Sequence, residues 1–171
     1  MSSKTASGVA KAREAEKLIR TIVLEARPMT PESFRPYGEM ISERGEIEIE
    51  VDGGCPCVLL QTVEKRHMSF DFLGRHLRTE QVFSPLGGAK SVIAVAPPSR
   101  DGKIDLKRLA AFTLDGNAAY KLHRGTWHTS AFPLDDRASF LVLEREGTLE
   151  DDYDLRDLKT VHGVVVEIQF E

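Results

Sequence analysis

Arg75-His76-Leu77-Arg78-Thr79-Glu80-Gln81-Val82-Phe83-Ser84-Pro85-Leu86-Gly87-Gly88 opens on polar residues, passes through a short β-like run at Glu80–Phe83 and stops in a proline–glycine turn. Ser91–Ala96 follows as a second run and is closed by Pro97-Pro98. The same alternation of short run and turn extends in both directions. It predicts strands at Thr21–Leu24, Ile47–Val51, Val58–Val63, Met68–Phe72, Glu80–Phe83, Ser91–Ala96, Ala111–Leu114, Ser139–Glu144 and Val164–Phe170. Glu46-Ile47-Glu48-Ile49-Glu50-Val51 has a period of two, which puts apolar side chains on one face and carboxylates on the other. Helices are short and peripheral: a capped proline start at Thr30-Pro31-Glu32-Ser33-Phe34, one or two turns at Ile104–Leu109, and an acidic turn at Asp152–Leu158. None is long enough to cover parallel crossovers, so the pattern predicts an all-β antiparallel barrel or sandwich.

The chain of 171 residues suits one domain, and its net charge of −4 argues against a nucleic-acid surface. Residues 1–20 are small, polar and charged (Lys4, Lys11, Arg13, Lys17 and Arg20 against Glu14 and Glu16) and read as a flexible or short helical leader, with the barrel at residues 21–171. There is no apolar run of membrane length and no signal-peptide core, which predicts a cytoplasmic protein without membrane partners. Cys55 and Cys57 are spaced awkwardly for a mutual disulfide and read as inert thiols.

Phosphate-binding glycine loops and a nucleophile elbow are both missing. The polar residues of interest lie in Arg75–Gly87 and in Tyr120-Lys121-Leu122-His123-Arg124-Gly125-Thr126-Trp127-His128, which together hold His76, His123 and His128. His67 and His162 read as ordinary strand or surface residues, and Glu150–Asp157 as a solvated acidic face. On an extended strand His76 and Glu80 share parity, and the turn at Gly125 brings His128 back toward them. An imidazole, a carboxylate and a second imidazole then converge, as ligands of a divalent metal (His76, Glu80, His128) or as acid and base (His76, Glu80, His123, His128).

The spacing His76-x3-Glu80-x6-Gly87 resembles the later part of the first cupin motif, and Gly125-x2-His128 the centre of the second. Gly74 stands where a complete cupin has a further histidine. The resemblance implies a cupin-like antiparallel β-barrel (double-stranded β-helix or jelly roll) with a few short peripheral helices. Arg75-His76, Thr79–Gly88, Ala111-Phe112, His123–His128 and Phe140–Arg145, together with Met29–Ile41, further resemble the ureidoglycolate lyase family over roughly residues 21–160. Three positions differ from the family pattern: Thr129 replaces a histidine, Ala119-Tyr120-Lys121-Leu122 replaces glycine–valine–asparagine–tyrosine, and Glu144 replaces an aspartate.

That resemblance implies cleavage of ureidoglycolate, or of a related small ureido or hydroxy acid, to glyoxylate and urea in purine and allantoin nitrogen catabolism, by a homodimer. The chemistry needs a base for the hydroxyl proton, an acid for departing urea and a cation for the substrate carboxylate. Gln81 and Trp127 are candidates for contact with the substrate, and Arg66, Arg75, Arg124 or Arg145 for its carboxylate. Cupin barrels also support metal-dependent oxygenases and isomerases, and non-catalytic ligand-binding modules, which stand as the alternatives.

Overall fold

The computed structural model describes residues 19–41 and 45–170; residues 1–18 of the expected leader lie outside them. In chain order the strands are β1 (Arg20–Pro28), β2 (Gly38–Ile41), β3 (Pro56–Glu64), β4 (Ser69–Phe70), β5 (Phe72–Arg75), β6 (Gln81–Pro85), β7 (Ser91–Ala96), β8 (Ala110–Leu114), β9 (Ala119–Leu122), β10 (Trp127–His128), β11 (Phe132–Pro133), β12 (Arg137–Arg145), β13 (Asp154–Asp157) and β14 (Val164–Gln169). The helices are single turns: α1 (Pro31–Phe34), α2 (Thr148–Asp151), α3 (Leu158–His162) and a 3-10 turn at Leu106–Arg108. At α1 the side chain of Thr30 accepts from the Ser33 N–H and that of Ser33 accepts from the Thr30 N–H, a reciprocal cap that starts the turn. This is an all-β architecture with small peripheral helices.

The strands form two sheets. The larger runs β13-β5-β10-β7-β8-β1-β14-β4, with β11 also on β7, and the smaller runs β2-β9-β6-β12-β3. Ser91–Ala96 explains how they stack, because every residue of β7 is buried. Ile93 and Val95 join Phe83, Tyr120, Phe140 and Val142 of the smaller sheet in the core between the sheets, while Val92, Ala94 and Ala96 pack on the other side with Trp127, Leu158, Val164 and Val166. A strand covered on both faces reads as a nearly continuous apolar run, as Val92–Ala96 does after Ser91.

Three expectations need correction. The sheets are not wholly antiparallel: β1 runs parallel to β14 over Arg20–Glu25 and then parallel to β8 over Ala26–Pro28. Glu46–Val51 alternates in burial as expected but joins no ladder; only Val51 forms a bridge, to Thr79. It is held by its backbone, with the Glu50 N–H donating to the Glu80 carboxylate, the Glu80 N–H to the Glu50 carbonyl, and Lys121 Nζ to the Glu48 carbonyl. Within Asp152–Leu158 the chain makes β13, paired with β5, and not an acidic turn. Among the described residues no helix is long and apolar enough to cross a membrane.

Candidate active site

His76 and His128 meet because of strand register. His128 of β10 lies opposite Gly74 of β5 in an antiparallel pair, so His76, two residues further on, lies on the face of β5 that His128 shares. Their ring centroids are 5.7 Å apart. The neighbouring residues point the other way: Trp127 is fully buried in the core beneath the larger sheet, and the Arg75 guanidinium stacks 4.4 Å from its ring and pairs with Asp154 at 2.9 Å. Both had been candidates for substrate contact, and the structure separates them from the histidines.

The two rings line a cavity of about 130 Å³ together with Gln61, Gln81, Thr129, Glu144 and Tyr153. That is well below the ~300–1,000 Å³ typical of sites for drug-sized ligands, so the space suits a small metabolite. Gln81 sits on β6 next to the Val82–Leu143 pair of β6 and β12, which brings it across from Glu144; its Nε2 donates to Glu144 Oε2 at 2.5 Å. Tyr153 stacks on His76 with centroids 5.2 Å apart. A Cβ at Gly74 would come within 2.3 Å of the Tyr153 ring, so the glycine makes room for this tyrosine. Sequence spacing does not mark Gln61 or Tyr153, and it marks Glu144 only as a departure from the family pattern, since each is brought to the cavity by a partner strand or segment distant in the chain.

Both imidazoles are fixed in one tautomer. His76 Nδ1 lies 2.8 Å from the Asp152 carbonyl oxygen, and His128 Nδ1 3.0 Å from that of Thr126. A carbonyl only accepts, so each Nδ1 carries the proton and each Nε2 keeps its lone pair. Burial pushes His128 down to about 4, helped by the neighbouring His76. It also lowers His76, against the opposing pull of the Asp152 carbonyl and the charges of Glu144 and Asp152. Both rings are therefore neutral at pH 7.

Glu80 lies elsewhere. Bends at Leu77 and Arg78 break the strand between His76 and Glu80, and the Asp152 carboxylate fixes them by accepting both N–H groups at 2.9 and 2.7 Å. The parity of His76 thus passes to Gln81, while Glu80 turns to Lys121 Nζ at 3.1 Å and to His123 Nδ1 at 3.8 Å. His123 lines only a tight crevice behind His76, Gln81 and His128. Among the described residues no three His, Cys, Asp or Glu side chains gather closely enough to hold a metal ion, and the set His76, Glu80 and His128 is not assembled. Two imidazoles fall short of the three protein ligands usual at a catalytic zinc-type centre.

The acidic stretch expected to be solvated instead braces this region. Asp151 pairs with Arg145 and with Arg78, Asp152 holds the bend, and Asp154 holds Arg75. Arg124 reaches Glu50 at 3.7 Å. Of the four candidate arginines, Arg66 alone has no carboxylate partner among the described residues; it donates to the carbonyls of Ala131 at 2.6 Å and Ser130 at 2.7 Å, two residues that line the cavity, and lies 4.0 Å over the Phe132 ring.

Residues 56–167 match the family model described as ureidoglycolate lyase. The chain belongs to the ureidoglycolate lyase family. A relative named ureidoglycolate lyase from Pseudomonas fluorescens (strain Pf-5) is 30% identical over 150 residues, covering 76% of this chain and 87% of the relative. Another, from Burkholderia mallei (strain NCTC 10229), is 27% identical over 144 residues, covering 72% and 83%. Among solved structures, RmlC from Streptococcus suis in complex with dTDP-D-xylose is 14% identical with a TM-score of 0.42, covering 67% of this chain and 61% of that one. Oxalate decarboxylase from Bacillus subtilis is 17% identical with a TM-score of 0.40, covering 62% and 24%. In this member of the ureidoglycolate lyase family the cavity is thus built by residues from both sheets and from the segment that carries Tyr153.

Proposed function

We propose that this protein cleaves ureidoglycolate to glyoxylate and urea through the His76–His128 pair. The observation that carries the reading is two neutral imidazoles, each with Nδ1 held by a carbonyl and Nε2 unprotonated, side by side in one small cavity. In the reaction the hydroxyl oxygen becomes a carbonyl oxygen, the adjacent carbon–nitrogen bond breaks, and the hydroxyl proton ends on the departing urea nitrogen. No external acid is needed, because the proton removed is the proton delivered. His76 Nε2 takes it: the resulting imidazolium is stabilised by the Asp152 carbonyl and by the charges of Glu144 and Asp152. His128, without a carboxylate among the influences on it, stays neutral and accepts a hydrogen bond from the substrate. Arg66, anchored on the carbonyls of cavity-lining Ala131 and Ser130 and without a carboxylate partner among the described residues, is the arginine assigned to the substrate carboxylate.

A homodimer accompanies this reading. Val58, Leu60 and Leu141 are exposed on β3 and β12 at the positions that alternate with cavity-lining Leu59 and Val142, an apolar outer face suited to a second copy. The test of the reaction is product analysis: purified protein given ureidoglycolate releases urea and glyoxylate in equal amounts and no ammonia. Ammonia in place of urea would mean hydrolysis of the ureido group and would overturn the lyase reading.

A further inference from the structure

Gln81 and Glu144 are both 6% exposed, and among the described residues no lysine or arginine lines the cavity with them. The hydrogen bond from Gln81 Nε2 to Glu144 Oε2 fixes how the amide faces, and it leaves Gln81 Oε1 buried with no partner. A buried acceptor left unmatched is costly, and one on a cavity-lining residue calls for a donor, which a ligand can bring. Toward a ligand the pair offers two acceptors, an amide oxygen and a carboxylate, beside the second N–H of Gln81 Nε2. The lone pairs of His76 and His128 add two more in the same wall.

We infer that Gln81 and Glu144 form a recognition site for the paired N–H groups of a ureido ligand, with Glu144 as a specificity-determining residue of the cavity. This inference rests on the lyase reading for its substrate. A urea unit is flat and carries N–H groups on two nitrogens that point the same way, so one edge of it offers two parallel donors. Gln81 Oε1 and the Glu144 carboxylate meet that edge, as a carboxylate meets the forked edge of a guanidinium. Arg66 then takes the acid end of the substrate, and the two ends are read by residues of opposite character. An N-acyl analogue with a methyl in place of the terminal amine leaves one acceptor unmatched and is rejected.

The experiment compares the two products as inhibitors. In the unmodified protein urea and glyoxylate both inhibit. Glu144→Gln, which keeps the size but sets an N–H against the ligand's N–H, weakens urea inhibition and lowers kcat/KM at least about tenfold, while glyoxylate inhibition stays within about twofold. Arg66→Met does the reverse. Equal weakening of both products by Glu144→Gln, or no change in urea inhibition, would overturn the inference. A second measurement needs neither variant nor turnover: urea added to the unmodified protein shifts the Gln81 side-chain amide signals in an NMR titration at concentrations where acetamide does not. Equal response to both compounds would overturn the inference. A urea-selective response in a protein that does not cleave ureidoglycolate would sustain the recognition site and reject the lyase reading alone.

Discussion

His76 and Asp152 are 76 positions apart in the chain, yet the carbonyl and carboxylate of Asp152 fix the tautomer of the histidine and the bend that follows it. Because burial lowers His76 below the ordinary histidine value of 6.5, its lone pair is free at neutral pH and is lost only on acidification beyond that value. The rate profile follows with a definite sign: kcat/KM falls on acidification, with the midpoint of that limb below pH 6.5. An acid limb with its midpoint at or above 6.5 would contradict the assignment of His76 as base. At this scale the sequence was readable in part. The two histidines were found from their motifs, but Glu80 was preferred to Gln81 because an unbroken strand was assumed between residues 76 and 80. The bend that shifts the parity is made by a carboxylate from a distant segment, and local spacing carries no trace of it. Trp127 and Arg75 were drawn in for a similar reason: each adjoins a cavity histidine in sequence, and in a strand adjacent side chains face opposite ways.

Among the elements, β5 is the one that binds cavity to frame, pairing with β10 on one side and β13 on the other. Its Gly74 stands against the ring of Tyr153. Gly74→Ala therefore forces Tyr153 off His76 or pushes β5 away from β10. The expected result is a loss of stability of about 1–3 kcal/mol, read by guanidinium denaturation, and at least a tenfold loss of turnover. Adding Tyr153→Ala to that variant recovers much of the stability, since the clash has lost its second partner. A single variant with unchanged stability and turnover would show that the close approach plays no part. Ser91–Ala96 and Val58–Val63 are legible as short runs rich in β-branched and aliphatic residues, the first buried throughout and the second largely exposed. β9, β10 and β13 are not. They are short, and their place in a ladder is decided by their neighbours and not by their own pattern.

For the whole molecule, one strand order produces two interiors, one between the sheets around β7 and one beneath the larger sheet, with the cavity opening beside the first. The same burial that keeps the histidines neutral ties stability to pH. An unfolded His128 takes a proton near pH 6.5, whereas the folded one does so only near 4, so the unfolded state binds more protons between those values and stability declines as the pH falls through that window. The all-β class followed from the spacing of runs and turns; the parallel pairing of β1 with β14 and β8 did not, because it joins segments far apart in the chain. Whether His76 and His128 together carry the chemistry is decided by turnover of ureidoglycolate in His76→Ala and His128→Ala, each checked for fold by circular dichroism. Native spectra with turnover lower by at least ~100-fold are expected in each; near-normal turnover in both folded variants would place the chemistry elsewhere.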